Sequence, residues 1–304
     1  MSGPHEPGDV WQVGERSVVV SHPEKVYWPA DGVTKGDLLR YYLSVASVML
    51  PHLRDRPLTL RVYPDGLAGS SYYRREAPEN APSWLRTTPY QPKTTARAIA
   101  LPLVDDAAGL LWLANQGCIE FHCWGSRLPD LAQPDQAIFD LDPGDAATFA
   151  DVLRAALRLR EALDGLGLRG YAKTSGGRGL HVAVALAPGH TFVGVRGWVK
   201  ALAQRLAASV PDLIAVARGA THRGGQVTID YAQNSLGRNT AAAYTVRAQR
   251  HATVSAPLSW DEVAAGDIHP SDLTLRTLPE RLRNLGDLYA PTLLGDQRLP
   301  PLGR

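Results

Sequence analysis

Asp140 and Asp142 occupy alternate positions of an apolar run, "AIFDLDPGD", that stops at Pro143-Gly144. In a β-strand alternate side chains share a face, so both carboxylates project together while Phe139 and Leu141 point the other way. Turn chemistry accounts for Pro143, Gly144 and Asp145. It does not account for two carboxylates in an apolar strand, which are costly unless something neutralises them. Asp230 interrupts the run "VTIDYAQN" in the same manner, with Val227, Ile229 and Tyr231 alternating onto the opposite face. Three strand-borne aspartates make an oxygen-only donor set suited to Mg²⁺ or Mn²⁺, with positions left for phosphate oxygens. Two such ions can activate an attacking oxygen and stabilise a leaving pyrophosphate.

Phosphates need a cradle, and "TSGGRGLH" offers one. Its glycines let backbone N–H groups approach closely, Ser175 adds a hydroxyl, and Arg178 and His181 add donors. The spacing matches neither a P-loop nor a dinucleotide fingerprint, and an ordinary glycine-rich hairpin remains the alternative. Cys118, His122 and Cys123 raise the question of zinc. Strand alternation in "CIEFHCW" points His122 away from Cys123, so two reduced thiols are the better reading.

Elements must hold these residues. Thr34 with Asp37 predicts an N-cap for a helix through "TKGDLLRYYLSVASVMLPHL", whose apolar positions recur at helical spacing. "RPLTLRV" and "SSYYRRE" read as strands, residues 78–95 as surface loop, and "AGLLWLANQGC" as a short helix leading into the His122 strand. After "FDLDPGD" comes the helix "TFADVLRAALRLREALDGLG", then a strand-loop-strand pair across "YAKTSGGRGLHVAVAL", the helix "VRGWVKALAQRLAASV" and the strand of Asp230. "SWDE" has capping-box spacing. The order implies an α+β protein with mixed and antiparallel sheets flanked by helices.

The 304 residues, 44% hydrophobic, are ample for a core. No run approaches the roughly 18 apolar residues of a membrane span, and the N-terminal stretch has acids and prolines where a signal peptide would be apolar, so no membrane association and a cytoplasmic location are expected. Net charge is only +2, but residues 51–100 hold eight Lys/Arg against four acids and residues 201–250 six against two, a local excess that suits a phosphate backbone or a solvated face.

"FDLDPGD", "TSGGRGLH" and "IDYAQN", in this order, resemble the three motifs of the archaeo-eukaryotic primase superfamily, and most nearly the polymerase domains of bacterial ATP-dependent DNA ligase D, which act in non-homologous end joining. The resemblance runs from about Val18 to about Leu288 and includes "HPEKVYWPADGVTKGDLLRYY". It implies a primase-like catalytic core in which Asp140, Asp142 and Asp230 bind two divalent cations, Mn²⁺ or Mg²⁺. It places Ser175, Arg178 and His181 at the triphosphate of an NTP or dNTP, and His122, Arg223, Gln233, Asn234 and Arg247 around the nucleotide. His22, Lys25, Lys35, Arg61, Tyr72 and Tyr73 fall to DNA, the two lysines at a 5′-phosphate and the tyrosines at the template. Arg178 stands where relatives usually have Lys, His22 where they often have Asn, and the tyrosines where they have phenylalanines.

The resemblance also implies a domain plan: a flexible segment at 1–15, one primase-polymerase domain at 16–290 with DNA contacts in its N-terminal part and the core at 118–250, and a tail at 291–304. The expected activity is template-dependent extension of a primer 3′-OH at gaps and double-strand breaks, favouring ribonucleotides. Expected partners are gapped, 5′-phosphorylated or broken DNA, Ku and a separate ATP-dependent ligase, since no Lys-x-Asp-Gly motif occurs. The protein is expected as a nucleoid-associated monomer, and the Met1 start favours a stand-alone chain over an excised domain. A metal-dependent nuclease and a non-catalytic end-binding module are the rivals. A nuclease needs no triphosphate cradle, and a binding module has no use for three aspartates.

Overall fold

The computed structural model describes residues 9–92, 97–217 and 224–302. The first half contains strands β1 (Asp9–Val13), β2 (Arg16–Val20), β3 (Val26–Trp28) and β4 (Val33–Thr34), helix α1 (Lys35–Leu53), strands β5 (Leu58–Val62), β6 (Tyr72–Arg74), β7 (Thr87–Tyr90) and β8 (Ile99–Pro102), helix α2 (Ala107–Asn115) and strand β9 (Cys118–Trp124). The second half continues with β10 (Gln136–Pro143), α3 (Phe149–Asp164), β11 (Tyr171–Thr174), β12 (Leu180–Ala185), α4 (Phe192–Ser209), β13 (Ile214–Ala217), β14 (Val227–Asp230), β15 (Asn239–Ala241), β16 (Pro257–Leu258), α5 (Trp260–Ala265) and α6 (Leu278–Leu285). Helix starts follow local chemistry. Thr34–Asp37, Thr148–Asp151 and Ser259–Glu262 each form a complete capping box, about 1 kcal/mol per cap.

Two sheets organise the chain. The larger has the order β13-β14-β10-β12-β11-β16, antiparallel except for β13 beside β14. The smaller is β15-β9-β5-β6, antiparallel throughout. Helices α3 and α4 cover one face of the larger sheet, where Phe139 meets Trp198 edge to face at 6.3 Å beside buried Leu141, Val182 and Ile229. Helix α1 covers one face of the smaller sheet, with Tyr42 against Phe121 at 5.0 Å. Each sheet keeps its other face for polar side chains. The result is the expected α+β architecture.

Three expectations change. Within the expected loop at 78–95, residues 87–90 form strand β7, paired with β8 from Thr87↔Pro102 to Tyr90↔Ile99. Pro89 is tolerated because a two-stranded ribbon leaves one side of each strand unpaired, where a missing N–H costs nothing. At the N-terminus, residues 9–15 are not a loose leader: β1 pairs with β2, and Trp11 and Val13 pack on the core. At the C-terminus the chain stays on the body past residue 290. Thr292 and Gln297 are buried, the Gln297 amide accepts from Arg169 N at 2.6 Å and donates to Arg169 O at 3.1 Å, and Trp198 Nε1 donates to Pro300 O at 2.7 Å. Proline-rich ends conceal such contacts because the contacts are made by backbone and single side chains, not by a periodic face.

Candidate active site

Strand register builds the site. Asp140 on β10 lies directly opposite Asp230 on β14 and, on its other side, opposite His181 on β12, which lies opposite Lys173 on β11. One row of side chains therefore crosses four strands: Asp230, Asp140, His181, Lys173. All four are buried, and Asp142 extends the same face two residues along β10.

Hydrogen bonds fix the row. His181 Nε2 lies 3.2 Å from Asp140 Oδ1, Gln233 Nε2 donates to Asp140 Oδ2 at 3.2 Å, and Asp230 Oδ1 accepts from Ala232 N at 2.7 Å. Burial alone would push the Asp140 carboxyl up, but His181 and Gln233 outweigh it and hold it below the usual range. Asp142 lacks such compensation. Burial first, then the charges of Asp140 and Asp230, push it up to about 7.

A group in this state calls for a cation. Among the described residues no three ligand-type side chains already close on one point as a cage, because Asp140 and Asp230 each turn oxygens to protein donors. The donor set is nonetheless all oxygen, and the raised Asp142 is a carboxyl that its surroundings leave uncompensated beside two others. Both features fit a hard divalent cation held by Asp140, Asp142 and Asp230. Cys118 and Cys123 remain free thiols.

The glycine loop abuts this face. A Cβ at Gly179 would fall 2.4 Å from Leu141 O and 3.1 Å from Asp142 Oδ1, and one at Gly176, where φ is +75°, would fall 2.4 Å from Arg247 Cγ. Only glycine lets the loop sit against β10 and against Arg247. Gly177 N and Gly179 N converge on Ser175 Oγ, each at 3.2 Å, so two donors already meet at one oxygen. Arg178 departs from expectation. It is exposed, and its Nη2 donates to Gly144 O at 2.9 Å and Ala147 O at 3.3 Å, bracing the turn after β10.

The smaller sheet supplies the opposite wall. Thr59, Arg61, Glu120 and His122 share one face of β5 and β9, with Tyr73 on β6 opposite Arg61. His122 Nε2 bonds Glu120 Oε2 at 2.8 Å, and the Tyr73 ring lies 5.9 Å from the His122 ring, edge on. The Arg61 guanidinium sits 5.0 Å from the Tyr73 ring. Arg247 joins the two walls: Nη1 donates to Ser175 O, while Nε is ion-paired with Glu120 Oε2 at 3.2 Å without hydrogen-bond geometry, leaving a buried N–H with a charge partner but no hydrogen bond.

Two charged residues here escaped the sequence reading. Glu120, buried, also accepts from Ala248 N at 3.0 Å, and His122, Arg247 and that N–H overcome the upward push of burial to hold it at about 2. Lys173 donates to His181 Nδ1 at 2.8 Å, Ala241 O at 2.9 Å and Ser255 Oγ at 2.7 Å. Both interrupt apolar strands as Asp140 does, so the same test would have found them.

Other expected residues divide. Asn234 does not offer its amide to a ligand. It accepts from Ile138 N at 2.8 Å and donates to Ile138 O at 2.7 Å, continuing the β10–β14 ladder after the backbone turns away. Arg223 lies outside the described residues. Tyr72 and Tyr73 are exposed. Lys25 Nζ bonds Asp65 Oδ1 at 2.5 Å and Pro64 O at 2.9 Å, whereas buried Lys35 bonds Ser21 O at 2.6 Å and Ser21 Oγ at 3.0 Å, with burial and then Lys25 lowering its pKa to about 8. The two ammonium groups are neighbours with separate partners, not a ready pincer. His22 has φ +49°, the left-handed region that Asn enters more easily. A surface cavity of about 1140 Å³, lined by Tyr72 and Arg74 among others, opens away from the carboxylates.

With this geometry in view, the likenesses to known proteins are informative. Residues 34–289 match the family described as LigD, primase-polymerase domain. The multifunctional non-homologous end joining protein LigD of Mycolicibacterium smegmatis is 34% identical over 276 residues, 90% of this chain and 36% of that protein. The LigD protein of Mycobacterium tuberculosis is 34% identical over 259 residues, 82% of this chain and 34% of its own length. The chain thus spans about a third of these relatives. The solved polymerase domain of Mycobacterium tuberculosis ligase D in complex with DNA superposes with a TM-score of 0.85 at 31% identity, covering 91% of this chain and 98% of that one. The chain belongs to the LigD primase-polymerase domain family.

Proposed function

We propose that this chain is a nucleotidyltransferase that extends a primer 3′-OH under the direction of a template, working at gaps and broken DNA ends in bacterial end joining. The observation that carries the reading is the register placing Asp230, Asp140 and His181 side by side on three strands, with the glycine loop against Asp142.

Asp140, Asp142 and Asp230 would hold Mg²⁺ or Mn²⁺, which would supply a lowered pKa for the primer hydroxyl and neutralising charge for the triphosphate. The chain's own groups do the rest. The N–H groups of Gly177 and Gly179, with Ser175 Oγ, receive phosphate oxygens, and Arg247, whose Nε–H makes no hydrogen bond within the protein, faces the same charge. His181 presents Nε2 to the site, 3.2 Å from Asp140 Oδ1. His122 and Arg61 face the sugar and base, and the exposed rings of Tyr72 and Tyr73 are the stacking surface for the template. NTPs and dNTPs are the substrates, ribonucleotides the better. Lys25, beside His22, serves the 5′-phosphate across a gap, while buried Lys35 holds the Ser21 backbone of the same segment. Ku and a ligase are the partners, and no helix among the described residues is long and apolar enough to cross a membrane.

Incubation with a 5′-phosphorylated gapped duplex, Mn²⁺ and NTPs tests the reading. Lengthened primers are expected. Shortened ones would replace the polymerase with a nuclease, and unchanged ones with a binding module.

A further inference from the structure

Lys173 has no role in the chemistry described so far, yet it ends the row that begins at Asp230. It is only 3% exposed, and its three acceptors, His181 Nδ1, Ala241 O and Ser255 Oγ, match the three protons of an ammonium group. Ser255 Oγ has its own proton committed to Thr174 O at 2.7 Å, so toward Lys173 it accepts. Ala241 O can only accept. Burial pulls the Lys173 pKa down to about 7, so the ammonium is the form below that pH. Asp140 Oδ1 can only accept from Nε2, and an ammonium donating at all three of its contacts leaves His181 Nδ1 with a lone pair. A neutral imidazole then has its proton on Nε2, directed at Asp140 Oδ1 3.2 Å away.

We propose that Lys173 is a positioning residue whose ammonium fixes His181 as an Nε2–H donor facing the carboxylates; the proposal rests on reading that face as the nucleotidyl-transfer site. Asp140 favours the same tautomer, but its hold weakens whenever its charge is drawn to a cation. Lys173 lies on the far side of the ring and keeps its grip. In the other tautomer a bare Nε2 would face Asp140 Oδ1, repel it and turn a carboxylate that must stay in register with Asp230. Ala241 pairs with His122 on the smaller sheet, so the same ammonium also ties the histidine of one wall to that of the other.

The test begins with the unaltered protein carrying ¹⁵N-labelled histidine, with and without Mg²⁺, its His181 ring signals identified by their loss in His181→Gln. Protonated Nε2 and bare Nδ1 are expected in both conditions, and a protonated Nδ1 would overturn the proposal. In Lys173→Met the ring should populate the Nδ1–H form once Mg²⁺ is added, and kcat for primer extension should fall roughly ten- to a hundred-fold, with KM for the NTP little changed. An unchanged tautomer, or an unchanged kcat, would overturn it too. Should that variant not fold, Ser255→Ala removes one of the three anchors while keeping the charge. Its expected result is a mixed ring signal in Mg²⁺, and a ring held wholly as Nε2–H would count against the proposal. Failure of the unaltered protein to extend primers would instead sink the polymerase reading and leave the tautomer assignment standing.

Discussion

The row on the larger sheet and the aromatic patch on the smaller one differ in how their side chains are held. Asp230, Asp140, His181 and Lys173 are all at most 7% exposed, and each is bonded to another member of the row, to backbone or to a neighbouring side chain. Tyr72 and Tyr73 are 43% and 58% exposed and lean on arginines that are themselves near solvent. A buried charge has a large, local effect because water cannot replace its partners, whereas an exposed contact is worth little individually and acts by area. The two regions should therefore respond to mutation on different scales.

The largest response should come from the row. Asp140→Ala or Asp230→Ala removes a share of the negative charge that a cation needs, worth several kcal/mol of charge stabilisation, or about a thousand-fold in extension rate. Affinity for DNA, measured by anisotropy on the same gapped duplex, should stay within about two-fold, because surface cations govern docking. Parallel losses of rate and affinity would erase the distinction between the two regions.

Glu120 stands between them and should give the next largest effect. Glu120→Ala leaves His122 and Arg247 facing a void where a carboxylate held both, so KM for the NTP should rise roughly ten-fold, and the protein should lose about 3 kcal/mol of stability. Glu120→Gln, which keeps an acceptor, should lose less of each. A stability loss with an unchanged KM would make Glu120 part of the scaffold alone.

These two residues also mark what could be read from sequence. Asp140, Asp142 and Asp230 were legible because a short carboxylate in an apolar strand has few bland explanations. Glu120 and Lys173 obey the same rule, but each stands next to a more conspicuous pattern, Glu120 between two cysteines and Lys173 before a glycine loop. Arg178 illustrates a different limit. Its position in the loop was plain, but the direction of a long flexible side chain depends on carbonyls 31 and 34 residues away in sequence. Asn234 was misassigned because its amide imitates a peptide group, and only the register of β10 with β14 exposes the imitation. The β7–β8 hairpin escaped because Pro89 masks a strand that exists only through its partner.

Within the row, pH should separate Asp142 from its neighbours. Its carboxyl titrates near 7 in the folded protein and near 3.8 when unfolded, so between those values the folded state holds a proton that the unfolded state has lost. Its contribution is therefore fully present below about pH 4 and declines as pH rises toward 7. Without divalent cations Asp142→Asn should remove that decline and stabilise the protein at pH 7.5, on the order of 2 kcal/mol after solvent screening, although extension is lost. Thermal melts of both proteins at pH 5 and pH 7.5 supply the check. A variant less stable than the parent at pH 7.5 would mean that the carboxylate is already compensated.

The smallest effects belong to the segment leading into α1, where the half-exposed and the buried lysine should part company. Lys35 is buried and holds the Ser21 backbone, so Lys35→Ala should destabilise the segment before α1 whatever DNA is offered. Lys25 is half-exposed and paired with Asp65, whose own side chain is 70% exposed. Such a pair is worth about 0.2–1 kcal/mol, so a terminal phosphate, carrying more charge than a diester, can displace the carboxylate from the ammonium. Lys25→Ala should then weaken binding to a 5′-phosphorylated gap by about three- to five-fold and leave the 5′-hydroxyl gap almost untouched. Asp65→Asn should do the opposite, tightening the phosphorylated gap by up to about five-fold, since it removes the competitor without touching the lysine. Equal changes on both gaps would make Lys25 a general backbone contact. No gain in Asp65→Asn would mean that the phosphate never meets Lys25, and that the exposed region selects its DNA by shape alone.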